Sequence, residues 1–416
     1  MPILLHVNQL EPGMCLARNV TNQFSVLLSR GHHLSESEIA SLQKRFPEML
    51  VEIGNPVLDK VVEFQDNQQA AEVSQSVRNR VYEMVRKAGQ TVRSGADLQK
   101  ERVAEIQSVI EEIIAYLMRN PVTSAILDRF SQSGDYFQEH CGNVFYLSML
   151  VGTTIRNHIK QERERYSAAK SLSGGMNLKS LGMAGMFFDI GMIELEHLYQ
   201  KKGSLTDDEI LKIREHPIKG AEMLGESIDP MSRLTIRCHH ENHDGSGYPG
   251  GLVGDQIPVF SRIIRIADAY SAATSEKVYQ QAKNPIQTLY EMVKGPFRSF
   301  YDPVILKVFA SIVQPIPIGA KLKLNNGCYG VVVRHNPQDP FKPKLIIAFN
   351  EQDEALSSSQ LQKPFSLSER ADIEVVSWGQ EDLRFLNGST YESQTSQAEQ
   401  DGLAKECLAM FDMMYP

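Results

Sequence analysis

The sequence has no pair of cysteines in CxxC spacing, and its five cysteines, Cys15, Cys141, Cys238, Cys328 and Cys407, are odd in number and far apart. That argues against a disulfide framework and against a thiolate zinc site, and it fits a reducing compartment. Positive charge is not in excess either. The formal net charge is −8, whereas a duplex-binding protein presents clustered Lys and Arg to the phosphate backbone. No apolar run is long enough to cross a bilayer; the longest, "NVFYLSMLVGTTI" from Asn143, reads as a core helix. The opening "MPILLHVNQLEPGM" has no basic leader ahead of a long apolar segment, so it does not read as a secretory signal. A cytoplasmic protein without a membrane span is expected. What is present is a globular composition, 42% hydrophobic and 23% charged over 416 residues, a length that implies two or three domains.

The patterning changes twice along the chain. Residues 1–66 hold short alternating apolar segments broken by turns ("ILLHVNQL", "EPGM", "CLARNV", "SVLLSRG", "MLVEIG"), which predicts a small β-rich domain. One helix, "SESEIASLQKRF", is inserted there, capped by Ser35 or Ser37. The adjacent His32 and His33 read as solvated turn residues rather than ligands. Apolar residues three and four apart then predict helices, first in a helical linker over 67–130 and then in a helical domain over 131–314. "KQERERY" from Lys160 reads as a solvated face, and "SLSGGMN" as a connection. After "QPIPIG" strands return, predicting a β-domain over 315–380. Residues 381–416 form a polar tail whose end, "LAKECLAMFDMMYP", reads as a terminal helix able to dock on something. The expected fold class is therefore mainly α, a helical bundle flanked by small β-domains.

The chemistry concentrates in the helical part. "CHHENHDGSGYPG", from Cys238 to Gly250, packs three histidines, two acids and a Gly/Pro turn into thirteen residues. Collecting the side chains that ligate a hard or borderline cation gives His140, opening one helix, Asp189 in "FFDIGM", His216 in "REHPIKGAEML", His239 and His240, and Asp268 in "RIIRIADAY". This spacing suits helices that each bring one inward ligand to a bundle core. Taken singly, each His reads as a hydrogen-bonded core residue. As a set they need pairing or a metal, because His and Asp facing apolar neighbours must offset desolvation. Mixed His and carboxylate donors without thiolate favour iron or manganese over structural zinc. Two such ions sharing a carboxylate can activate a water and clamp the oxygens of a phosphodiester, so the reaction class is phosphoester hydrolysis.

"HHENHDGSGYPGGL" followed by "IPVFSRIIRIADAYSAATS" resembles the HD-GYP family, bacterial phosphodiesterases that act on cyclic di-GMP and belong to the wider HD superfamily. The similarity runs from about Tyr136 to Phe309 and keeps the order and spacing of His140, Asp189, His216, His239, His240, Glu241, Gly247-Tyr248-Pro249 and Asp268. The "LEPGM" domain also resembles a module that often precedes HD-GYP domains. The resemblance implies an HD-type helical bundle, with Asp189 bridging two metals as the one confident catalytic residue. It implies that His216, His239 and His240 complete one ion, and that His140 and Asp268 belong to the other.

The sequence departs from the family pattern around the reaction centre. The doublet histidine is Phe188, the lysine three residues beyond the aspartate is Met192, an arginine is Lys277, a basic residue is Gln280 and a common aspartate is Ser271. Phenylalanine has no lone pair to donate, so one divalent metal, iron or manganese, is expected rather than two. Tyr136 offers no carboxylate for a third. Lys277 keeps its charge but loses the bidentate fork that suits a phosphate. Lys277 and the Gly247-Tyr248-Pro249 loop are the expected substrate contacts; the loop reads equally as a structural turn. By resemblance, the loop or the C-terminal tail is also a surface for a protein partner. The expectation is a degenerate cyclic di-GMP signalling protein that binds ligand or protein with little or no hydrolysis. The alternatives are an active phosphodiesterase yielding the linear dinucleotide or GMP, and hydrolysis of a different phosphoester.

Overall fold

The computed structural model describes residues 2–21, 26–47, 49–55, 58, 80–91, 100–119, 136–156, 178–199, 201, 205–275, 282–336 and 338–387. They fall into two compact units: Met1–Asn67 with Gln314–Thr395, and Gln68–Val313 with Ser396–Pro416. The fold is mainly α, with β-structure toward both ends of the chain, as the periodicity predicts.

In the first unit β1 (Ile3–His6) pairs antiparallel with β4 (Leu50–Ile53), and β2 (Val20–Thr21) with β3 (Val26–Leu28). Between them α1 (Glu36–Arg45) starts on a capping box in which Ser35, not Ser37, accepts from the Glu38 N–H. Toward the other end, β5 (Lys321–Leu324), β6 (Tyr329–Arg334), β7 (Lys344–Phe349), β8 (Phe365–Ser366), β9 (Val375–Trp378) and β10 (Glu381–Asp382) form one sheet in the order β10-β9-β5-β6-β7-β8. The sheet thus runs past Trp378 into the segment read from sequence as tail. The two β-segments, read from sequence as separate domains, also share a core: Leu5, Val7, Leu16 and Val51 pack with Val331, Ile346 and Phe349. The Leu4 N–H donates to the Gly319 carbonyl at 2.8 Å. Small β-segments gain by pooling their apolar faces in one core. His32 pairs with Glu38 at 2.9 Å and His33 meets the Gly13 carbonyl at 3.1 Å; both are exposed.

The second unit is helical. Its described helices are α2 (80–91), α3 (Lys100–Arg119), α4 (Tyr136–Thr154), α5 (Leu178–Phe187), α6 (Glu196–Tyr199), α7 (Asp207–Arg214), α8 (His216–Leu224), α9 (Pro230–Arg237), α10 (Val259–Thr274), α11 (Pro285–Lys294) and α12 (Pro303–Val313). α4 is buried on every side from His140 to Gly152, the mark of a central helix, and α5 and α10 pack against it. His140 lies a turn inside α4 rather than at its opening, because the helix begins at Tyr136. Asp229 caps α9 by accepting from Met231 and Ser232 N–H at 3.1 Å each, which fixes the helix that delivers the His239-His240 pair. Among the described residues no helix is long and apolar enough to cross a membrane. "KQERERY", "SLSGGMN", Lys277, Gln280 and the terminal "LAKECLAMFDMMYP" lie outside the described residues.

Candidate metal centre

Asp189 sits in the turn where α5 ends and a 3₁₀ segment, Ile190–Leu195, begins. That segment lies against the first turn of α8 so closely that a Cβ on Gly191 would stand 2.2 Å from the His216 carbonyl oxygen. Glycine at 191 is therefore what lets Asp189 reach His216. Donor atoms of Asp189, His216, His239 and His240 all lie within 4.8 Å of one another, and all four residues are buried.

The histidines are oriented from behind. His216 Nδ1 faces the Ile213 carbonyl at 2.7 Å and His239 Nδ1 faces the Ile236 carbonyl at 2.6 Å, so each Nδ1–H donates outward. This tautomer turns both Nε2 lone pairs inward, 3.2 Å apart and 3.2 Å and 3.6 Å from Asp189 Oδ1. Backbone acceptors behind the imidazoles are the usual way a metal-ligating His is aimed. Three lone pairs converging in a buried space repel one another unless a cation lies among them.

Electrostatics agree. Burial by itself would raise the Asp189 carboxyl, but without a metal His216 and His239 in their protonated form donate to it, outweigh burial and hold the group below the ordinary carboxylate range. His240 is held well below the usual histidine value, first by burial and then by His239 and His216, so it is neutral and free to ligate. Asp189 Oδ1 and His240 Nε2 are buried without a hydrogen-bond partner. Each orphan of this kind costs about 1–3 kcal/mol, and a divalent ion bound by these donors offsets that cost. Cys238 is pushed up to about 11, chiefly by burial and then by Glu241, and stays a thiol. The donor set fits one cation.

The neighbouring corner is different. His140 Nε2 stands 3.0 Å from Asp268 Oδ1 and 3.8 Å from Asp189 Oδ2, while its Nδ1 meets Ser271 Oγ at 3.0 Å. Phe188, 0% exposed, wedges between His140 and His239, with ring centroids 5.5 Å and 5.1 Å from theirs in edge geometry. The benzene ring fills the space next to both histidines with carbon and hydrogen. Phe188 brings no donor to this corner, where His140, Asp189 and Asp268 are the groups that face one another. Met192, at the position of the family lysine, packs into an apolar cluster with Leu195, Leu198 and Ile213.

The Gly247-Tyr248-Pro249 loop closes over His240. Tyr248 stacks on the His240 ring at 4.8 Å and 17°, and Arg214 lies over the other partner, its guanidinium 5.4 Å from the Tyr248 ring centre. A Cβ on Gly247 would stand 2.2 Å from Asn242 N and 2.4 Å from the His240 carbonyl oxygen, so only glycine lets the loop fold back on the histidine pair. Glu241 accepts from the Gly250 and Leu252 N–H groups at 2.6 Å and 2.9 Å. His243 stands outside the donor cluster. Sequence reasoning missed Arg265, a buried arginine one helical turn before Asp268, and Asn242, which accepts from its Nε at 2.8 Å.

Residues 154–305 match the family model described as HD domain. The chain is 28% identical over 250 residues to cyclic di-GMP phosphodiesterase PA4108 of Pseudomonas aeruginosa, covering 59% of this chain and 56% of that protein. It is 32% identical over 169 residues to cyclic di-GMP phosphodiesterase PdeB of Borreliella burgdorferi, covering 38% and 44%. It is 27% identical over 274 residues to the 3'3'-cGAMP-specific phosphodiesterase 1 of Vibrio cholerae, covering 60% of each. The chain spans about half the length of the curated relatives it matches. Over residues 154–305 the helical unit is thus similar to HD domains, and with its Gly247-Tyr248-Pro249 triplet the chain resembles the HD-GYP family.

Proposed function

We propose that the chain is a cyclic-dinucleotide signalling protein that holds a single divalent metal and engages its nucleotide or a protein partner with little or no hydrolysis. The observation that carries this is Phe188, fully buried between His140 and His239 where the second ion's imidazole would stand. The ion belongs with Asp189, His216, His239 and His240, a nitrogen- and carboxylate-rich set that suits iron or manganese. Bound there, it supplies Lewis acidity toward a phosphoryl oxygen. The aromatic stack of His240 and Tyr248, with Arg214 beside it, is an apolar and cationic surface of the kind a nucleobase and its phosphate require. Cyclic di-GMP is the nucleotide that most of the named relatives act on, and cyclic GMP-AMP is the other. Lys277 is assigned to the phosphate from its sequence position. The second reading, an active phosphodiesterase, is supported by the same four-residue cluster being complete.

The deciding experiment measures metal per chain by elemental analysis, together with cyclic di-GMP and cyclic GMP-AMP binding and turnover on the full chain. The expected result is one equivalent of iron or manganese and no accumulation of linear dinucleotide or GMP. Two equivalents with steady turnover would overturn the proposal in favour of the active enzyme.

A further inference from the structure

We propose that Arg265 is the built-in cation of the second position, so that this corner of the site is neutralised by the protein itself and excludes a metal even when the missing histidine is supplied. This rests on the one-metal reading above and extends it to a residue outside the ligand set.

The guanidinium is 3% exposed and is anchored from two directions. Its Nε donates to Asn242 Oδ1 at 2.8 Å, and its plane lies 5.8 Å from the Tyr301 ring centre. Asn242 is fixed in turn by donating to Ser246 Oγ at 3.0 Å, within the loop that follows the histidine pair. From this anchorage Nη1 reaches to 3.8 Å from Asp268 Oδ2, one turn along the same helix. The other Asp268 oxygen is held by His140, whose remaining nitrogen faces Ser271. Protein groups therefore face both oxygens of Asp268 and both nitrogens of His140.

Charge counting sharpens the point. Two carboxylates face the site, Asp189 and Asp268, because Glu241 is engaged by loop amides. One divalent ion and one guanidinium already exceed those two negative charges. A second divalent ion would lie beside a buried arginine in a low-dielectric pocket, where like charges are weakly screened. Phe188 removes a ligand from that position, and Arg265 makes the position electrostatically hostile. The two residues act independently, so reversing one leaves the other in force.

The test titrates metal-free full chain with manganese alone and counts bound ions by elemental analysis after desalting, with spin-coupling in the electron paramagnetic resonance spectrum as a second readout. Wild type and Phe188→His are each expected to bind one uncoupled ion. Phe188→His/Arg265→Gln, which keeps a donor toward Asn242 but removes the charge, is expected to bind two coupled ions. Phe188→His/Arg265→Lys, which keeps the charge, stays at one. The ion held by His216 and His239 reports in every variant that the fold persists. Two ions in Phe188→His alone would overturn the assignment of Arg265, and that single variant is decisive even where a double variant misfolds. One ion in the folded Arg265→Gln double variant would overturn it as well. Two ions in the wild type would instead overturn the one-metal reading on which it rests.

Discussion

Glu241 is 1% exposed, and its two oxygens are both taken by main-chain donors nine and eleven residues ahead, Gly250 and Leu252. A buried carboxylate with two amide partners is a staple, and here it closes the loop over the histidine pair without touching the donor cluster. Glu241→Gln keeps one acceptor and turns an amide NH₂ toward the other N–H, leaving donor against donor. The expected cost is about 1–3 kcal/mol, read as a fall of roughly 5 °C in the thermal transition of the helical unit. Metal content is expected to hold at the wild-type level, because His239 and His240 are aimed by α9 and not by the loop. An unchanged melting temperature would remove Glu241 from that role. At this scale the sequence was uneven in what it disclosed. His140, Asp189, His216, His239, His240 and Asp268 were legible because ligand chemistry restricts residue type and spacing. The absence at Phe188 was legible for the same reason. Glu241's partners are backbone amides, which carry no residue signature, and Arg265 in "RIIRIADAY" has the periodicity of an ordinary solvated helix face. Its burial depends on Asn242 and Tyr301, which only the fold brings to it.

The element that sets the metal corner is the 3₁₀ segment after Asp189, held against α8 by two glycines. Gly191 and Gly220 approach until a Cβ on Gly220 would stand 3.1 Å from Gly191 N, and one on Gly191 would meet His216 backbone at 2.2 Å. Gly191→Ala must push the segment and α8 apart, since the obstructing atoms are main chain and cannot rotate away. Overpacking of this kind costs about 1–3 kcal/mol. Displacing Asp189 from His216 is expected to weaken the first metal at least as much as loss of a supporting contact does, about 10–100-fold. Isothermal titration with manganese checks this, and wild-type affinity in a stable Gly191→Ala protein would show that the close approach is incidental. Helices such as α4 and α10 were legible from their periodicity, and the β-segments from alternation. That the segments around Leu4 and Gly319 share one core was not, because strand partners more than three hundred residues apart leave no local signal.

Across the whole molecule, two compact units with separate cores should answer to two different perturbations. The helical unit carries the metal corner, so removing the ion withdraws a ligand that binds only the folded state. At a hundredfold excess over Kd this amounts to about 2.7 kcal/mol, and a chelator is expected to lower the helical transition alone. The β-rich unit carries His335, held down to about 4 by burial against a weaker opposing hydrogen bond that its ring donates to the Ile316 backbone. Its ordinary value is 6.5, so the unfolded chain takes up a proton first as pH falls. Stability from this group is therefore complete above pH 6.5 and is lost progressively toward pH 4, where the folded state protonates as well. Allowing for partial solvation, the loss is roughly 2 kcal/mol. Glu38 and Asp382 of the same unit, each held at about 2 by side-chain and backbone partners, add their own loss as pH falls from their ordinary values of 4.5 and 3.8 toward 2. Differential scanning calorimetry from pH 7 to 4 should thus show the β-rich transition moving down with acid, and the helical one moving down with chelator and, because His240 is buried neutral, with acid as well. His335→Gln should flatten the first shift and leave the second. If acid between those limits lowered the β-rich transition equally in wild type and variant, His335 would not be the group responsible, and a chelator that lowered both transitions would show that the two cores are not thermodynamically separate.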